Sequence, residues 1–175
     1  MKIERHEEMR LSGDVEREIA SLLEICFPTD FGGRSFFQNR HHVRLLAREG
    51  GKLAGHLAVG FRAVRLGGRL LDAVGFAEVA VHPAFRRRGI GAALVEAGLE
   101  EGRAAGAGFA LLFGEQPIYA KAGFVTMSNP IVRVAMYGAQ TEEIVRERAE
   151  HLMVQPLGDE AWDEAAELDL AGFTF

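Results

Sequence analysis

Apolar positions recur at two periods along the chain, and the change from one to the other outlines the fold. Val15, Ile19, Leu22, Leu23 and Cys26 follow at three- and four-residue steps behind Ser12-Gly13-Asp14, so a helix runs from about there until Pro28 stops it. Residues 2–10 ahead of it are a candidate strand. Pro28 to Ser35, with paired glycines and Asp and Thr turn formers, reads as a surface loop of the kind that often carries binding residues. From His42 the pattern becomes extended, with runs at Val43–Arg48, Leu53–Leu66 and Arg69–Val81 separated by Gly50-Gly51 and Gly67-Gly68. Gly-Gly between extended runs signals a hairpin, because both turn positions tolerate positive φ, so an antiparallel meander is expected. A helical stripe follows within Ala84–Ala105 (Leu94, Val95, Leu99), then an apolar strand at Gly108–Phe113 and a short helix at Gln116–Ala122. Residues 124–136 and 151–157 read as further strands. The acidic stretch between them and the segment near Trp162 are expected to be helical. This order predicts an α/β sandwich built on a mixed sheet, and with no repeat or linker the whole of 1–175 is expected to form a single domain.

The composition agrees with a globular chain of this kind. Of 175 residues 48% are hydrophobic and 26% charged, with a net charge of −5, which excludes disordered and collagen-like classes. No apolar run approaches the ~18 residues of a membrane span. The single Cys26 cannot form an internal disulfide, and the charged start MKIERHEEMR is unlike a secretory signal, so a cytoplasmic location is expected. Charge is uneven. Residues 141–175 hold ten acids against two arginines, leaving the first 140 with 18 basic and 15 acidic side chains. The acidic tail is either a solvated face or a wall that attracts a polycationic substrate.

The chemistry is concentrated in Val79-Ala80-Val81-His82-Pro83-Ala84-Phe85-Arg86-Arg87-Arg88-Gly89-Ile90-Gly91-Ala92. Here an apolar strand passes through a Gly-rich basic turn into a helix. Such a turn leaves helix N-terminal amides unpaired beside the positive end of the helix dipole, which suits a pyrophosphate. The dinucleotide fingerprint G-x-G-x-x-G and the Gly-Lys-Ser/Thr ending of a nucleotide P-loop are both absent. His41-His42 lack metal-ligand spacing, so no metal site is expected, and His56 and His82 read as structural residues. A nucleic-acid role for Arg86-Arg87-Arg88 does not fit an acidic chain with no extended basic stripe.

Arg86-x-x-Gly89-x-Gly91 behind an apolar strand resembles the acetyl-coenzyme A signature of the GNAT superfamily of N-acyltransferases. Tyr119-Ala120-Lys121-Ala122-Gly123-Phe124 looks like its second hallmark, and the two with their intervening strands cover about residues 43–126. The resemblance implies a mixed, mostly antiparallel sheet flanked by helices on both faces. It also implies acetyl-coenzyme A, or another acyl-coenzyme A, as co-substrate, held by Val79, Ala80, Val81, Arg86, Arg87, Arg88, Gly89, Ile90, Gly91 and Ala92. The spacing from Phe27-Pro28-Thr29-Asp30-Phe31 through His56-Leu57-Ala58-Val59 is similar to aminoglycoside 2'-N-acetyltransferases, and more weakly to nodulation N-acyltransferases. That likeness implies an aminoglycoside, aminosugar or polyamine as acceptor, with Asp30 contacting it. In those enzymes a Glu precedes the Val-Ala-Val run, whereas Ala77 stands there in this chain and Glu78 comes one residue later. Strand side chains alternate faces, so Glu78 points the other way unless a bulge re-aims it. Phe173 likewise replaces a C-terminal acid, while the Phe175 ring is expected to line the cleft.

The implied reaction is direct attack of an amine on the thioester. Amides around Val79–Val81 would hold the carbonyl, Glu78 would take the proton as base or bind substrate, and Tyr119 would protonate the leaving thiolate. Glu78 reads equally well as the salt-bridge partner of an arginine, and Cys26, spaced with Ile19, Leu22 and Leu23, reads as core rather than nucleophile. Two alternatives stay open: a protein or peptide N-acetyltransferase, and a coenzyme A-binding module without catalysis. A homodimer is a further expectation from the family.

Overall fold

The computed structural model describes all 175 residues. Four strands, β1 (Lys2–Glu7), β2 (Val43–Glu49), β3 (Lys52–Leu66) and β4 (Arg69–Val81), pair antiparallel in succession. The β2–β3 turn takes φ of 59° and 79° at Gly50 and Gly51, values a side chain with a Cβ reaches only with strain. Between β1 and β2 lie a 3-10 turn (Glu8–Arg10) and α1 (Gly13–Cys26), whose Ser12 cap accepts from Val15 N–H. Helix α2 (Ile90–Ala104) then carries the chain to β5 (Phe109–Phe113), which pairs parallel to β4. After α3 (Pro117–Lys121) come β6 (Val125–Thr126), β7 (Pro130–Tyr137), β8 (Gln140–Arg148), β9 (Leu152–Pro156) and β10 (Leu168–Asp169).

All ten strands join one sheet in the order β6-β9-β5-β4-β3-β10-β7-β8, with β2 and then β1 on the first half of β3. Strand alternation decides which face each helix covers. Leu45 and Ala47 of β2 face Ile90, Leu94, Val95 and Leu99 of α2. Leu46, between them, faces Ile19, Leu22 and Leu23 of α1. The two helices therefore cover opposite faces of a mixed, mostly antiparallel sheet, as expected. Close approach of α2 depends on Gly98, where a Cβ would lie 2.7 Å from the Phe76 ring. A third apolar cluster, including Phe109, Leu111, Leu152 and Leu168, fills the distal half of the sheet under Trp162. No helix is long and apolar enough to cross a membrane.

Three expectations are corrected. The acidic stretch before residue 150 is the strand β8, not a helix: Gly138 and Ala139 take φ of 55° and 63° and close a two-residue hairpin that pairs Gln140–Arg148 with β7. Its Glu and Arg content favours a helix only where no such pairing is on offer. The segment around Trp162 is not helical either. The buried Asn129 donates to Asp163 O and Ala166 O at 2.9 Å each and accepts from Trp162 Nε1, holding that segment in turns. Finally, α2 starts at Ile90 rather than near Ala84, because Pro83–Phe85 form a 3-10 turn and Arg87 and Gly89 take φ of 62° and 79°.

Candidate active site

Strands β4 and β5 begin as neighbours and then separate. Ala73–Phe76 pair with Phe109–Leu112, but β4 continues to Val81 with no strand on that side. The divergence starts at an irregularity. On the opposite edge Ala58 pairs with Ala77 and His56 with Ala80, so Leu57 alone faces both Glu78 and Val79, and Glu78 takes φ of 54°. This is a β-bulge, which bends a strand and re-aims its side chains. His56 pins it: Nδ1–H donates to Glu78 O at 2.8 Å while Nε2 accepts from Arg44 Nη1 at 3.2 Å. Full burial, then the Arg44 charge, pushes His56 down to about 4, so the ring is neutral, with one donor and one acceptor nitrogen. The histidine has the structural role expected of it.

Beyond the bulge the strands enclose a cleft of about 610 Å³, lined by Val79, Ala80, Val81, Arg86, Ile118 and Tyr119 among others. Its strand wall offers backbone amide and carbonyl groups facing no partner strand. Next to it the amides of Ile90, Gly91 and Ala92 open α2, whose first loop-closing bond runs from Ala93 N to Gly89 O. Of the three arginines, Arg86 lines the cleft with Nε 3.4 Å from Val81 O, Arg88 pairs with Glu49 at 3.1 Å, and Arg87 is exposed. A long ligand with an amide-bearing arm and a phosphate end finds complementary groups here. Tyr119, on α3, is buried against Phe124, and burial raises its phenol pKa, so it lines the cleft as a protonated phenol. Cys26 also lines the cleft, but its thiol lies 3.5 Å from Val81 O and burial pushes its pKa up, which makes it a protonated packing group rather than a thiolate nucleophile.

A second cavity of about 210 Å³ opens on the other side of the bulge. Five phenylalanines line it: Phe27, Phe31 and Phe37 from the segment after α1, with Phe173 and Phe175 from the last residues. Phe27, Ala77, Glu78 and Phe175 line both cavities, which therefore adjoin at the bulge. The Phe175 ring packs against Gly60 and Gly75; a Cβ on Gly75 would stand 1.7 Å from it. Arg62 holds this end in place, 3.9 Å from the centroid of Phe175 and 4.6 Å from that of Phe173, with Nη1 donating to Phe173 O at 2.6 Å.

The bulge turns Glu78 into a buried charge network. Its Oε1 accepts from Phe37 N–H at 2.6 Å and lies 3.3 Å from His41 Nε2, while Oε2 accepts from Arg44 Nη1 at 2.8 Å. Arg44 is fully buried and donates also to Glu8, from Nε at 2.5 Å and Nη2 at 3.2 Å. Burial would raise the Glu78 carboxyl, but His41, Arg44 and His56 together outweigh it and hold the group down at about 2. Glu78 thus stands where the two cavities meet, as a poorly basic carboxylate paired with an arginine. Asp30 stands elsewhere: it is exposed, its Oδ1 accepts from Gly32 N–H at 2.6 Å in a local turn, and it lines neither cavity, although Thr29 and Phe31 on either side of it do. Arg44 and His41 escaped sequence reasoning as site residues. The available signal was a cation in the run Val43-Arg44-Leu45-Leu46, where a buried strand needs a partner for it.

The arrangement, a splayed strand pair beside a Gly-rich helix start with a buried tyrosine opposite, is that of an acyl-transfer enzyme using a long phosphate-bearing donor. Residues 10–127 match the model of the acetyltransferase (GNAT) domain family. The chain belongs to that family, and is an acyltransferase of that kind. No curated protein matches it. Among solved structures, a GNAT family acetyltransferase from Brucella melitensis in complex with acetyl-CoA is 22% identical over 94% of both chains, with a TM-score of 0.60. The GNAT family N-acetyltransferase YhbS from Escherichia coli, in complex with CoA, is 20% identical over 96% of this chain and 88% of its own, with a TM-score of 0.66. The ribosomal-protein-S18-alanine N-acetyltransferase from Escherichia coli is 16% identical over 91% and 97%, with a TM-score of 0.61. At these identities the likeness is one of fold.

Proposed function

We propose that the protein transfers the acetyl group of acetyl-coenzyme A to the primary amine of a small molecule with a compact apolar or aromatic body. The observation that carries this reading is the meeting of the two cavities at Ala77 and Glu78: the larger suits the donor and the smaller, phenylalanine-lined one suits the acceptor. Acetyl-coenzyme A supplies an activated thioester carbonyl. Val79–Val81 would hold its arm along the open strand edge, and Arg86 with the Gly89–Ala92 amides would take the phosphates. Tyr119 would give its proton to the departing sulfur, a task that suits a phenol held protonated by burial. The wall chemistry favours an apolar amine over an aminoglycoside or polyamine. Asp30 is engaged outside the cavity, and Glu78, the only carboxylate side chain in its wall, is already matched by Arg44.

Thiol release from acetyl-coenzyme A, measured with benzylamine, phenethylamine, aminoglycosides, polyamines and short peptides, tests the reading. Turnover is expected with the arylalkyl amines, falling about 100-fold or more in Tyr119→Phe with coenzyme affinity unchanged. Turnover confined to aminoglycosides or peptides would reverse the acceptor assignment. Binding of coenzyme A with no turnover on any amine would leave a binding module instead.

A further inference from the structure

We infer that His41, rather than Glu78, is the base that takes the proton from the acceptor's ammonium group, with Glu78 positioning its ring. The role rests on the N-acetyltransferase reading. Only a neutral amine is nucleophilic, so some group beside the acceptor must accept a proton near neutral pH. Two titratable side chains line the acceptor cavity, Glu78 and His41. Both oxygens of Glu78 are occupied, one by Arg44 Nη1 and the other by Phe37 N–H, so a proton placed there displaces a buried ion pair or a short hydrogen bond. His41 is unencumbered. Its side chain is 8% exposed, its Nε2 stands 3.3 Å from Glu78 Oε1 at the separation of an ion pair rather than of an aligned hydrogen bond, and that buried nitrogen has no hydrogen-bond partner.

With Nε2 turned to Glu78, the other ring nitrogen is left to accept a proton, and Glu78 then stabilises the imidazolium. Arg44 keeps Glu78 ionised for that purpose. The ammonium gives one proton to His41, the freed lone pair forms the N–C bond while the C–S bond breaks, and the sulfur leaves with the electron pair of the broken C–S bond. Tyr119 protonates the sulfur and regains a proton from the second N–H lost as the amide forms, and His41 releases its own proton to water. One proton is liberated per acetylation. The charged and titratable groups around His41 are Glu8 after β1, Arg40 beside it, Arg44 on β2, His56 on β3 and Glu78 on β4.

Acceptors of different basicity separate this role from a structural one. Benzylamine reaches the site as an ammonium ion and aniline as a neutral amine, so His41→Gln is expected to lose about 100- to 10,000-fold in kcat/KM with benzylamine and less than tenfold with aniline. Free imidazole should restore part of the benzylamine activity to His41→Ala. Equal losses with both amines, or no loss with benzylamine, would overturn the assignment. If wild-type protein binds coenzyme A yet acetylates neither amine nor any other in the panel, the acetyltransferase reading fails first and the His41 role falls with it.

Discussion

Replacing Arg44 by Met removes the one cation that two buried carboxylates share. Arg44 is fully buried and bonded to Glu8 and Glu78, both less than a tenth exposed. Holding Glu78 at about 2 against an ordinary 4.5 corresponds to about 3 kcal/mol of stabilisation at neutral pH. Glu8 is lowered as well, since Arg44 and Arg40 outweigh the burial that would raise it. Taking away the partner of a buried charge typically costs 3 to 5 kcal/mol, or roughly 10 °C in Tm for a chain of this size. The pH dependence gives the sharper test. In the native protein the folded pKa lies below the unfolded one, so this stabilisation is present above pH 4.5 and lost as pH falls toward 2. Without Arg44, Glu8 loses its main counter-charge and Glu78 keeps only His41 and His56 against its burial, so both carboxyls rise from their native positions. The variant then lacks stability that the native protein gains as pH rises from about 2 through 4.5, so its Tm deficit grows over that range and levels off above it. Thermal unfolding followed by circular dichroism across that range would measure it. A deficit of less than about 2 °C, or one that does not change with pH, would refute the shared-cation network.

Further consequences attach to single residues. Gly89→Ala meets no steric obstacle, but φ of 79° at the α2 cap costs a Cβ-bearing residue roughly 1–2 kcal/mol, so KM for acetyl-coenzyme A should rise severalfold with kcat little changed. Gly75→Ala places a methyl 1.7 Å from the Phe175 ring and must expel it, merging the two cavities; KM for benzylamine should rise while a bulkier arylalkyl amine is accepted better, and unchanged acceptor kinetics would sink the idea. Trp162→Phe leaves the buried Asn129 Oδ1 without its donor, which should cost about 1–3 kcal/mol in denaturant unfolding and leave acetyl transfer unaffected.

The chain itself determined whatever depends on neighbours along the backbone. Alternating apolar residues and the Gly50-Gly51 and Gly67-Gly68 turns specify the meander, and Arg86 to Gly91 specify a phosphate-ready helix start, because periodicity and positive φ are local demands. Tyr119 was singled out through the family resemblance of the adjacent residues Tyr119 to Phe124. Other features were settled only by residues distant in sequence. The direction of Glu78 depends on a bulge that exists because Leu57 pairs across two residues and His56 bonds the carbonyl from twenty-two positions away. Nothing in Gly75-Phe76-Ala77-Glu78 announces it. The same holds for β8, whose Glu- and Arg-rich sequence reads as helix until the edge of β7 offers its backbone a ladder. The smaller cavity exists only when the segment after α1 and residues 173–175 meet over Gly60 and Gly75, and Asp30, adjacent in sequence to its lining residues, does not line it. A buried charge is stable only beside its counter-charge, so the roles of Arg44, His41 and Glu78 follow from tertiary packing and not from their order along the chain.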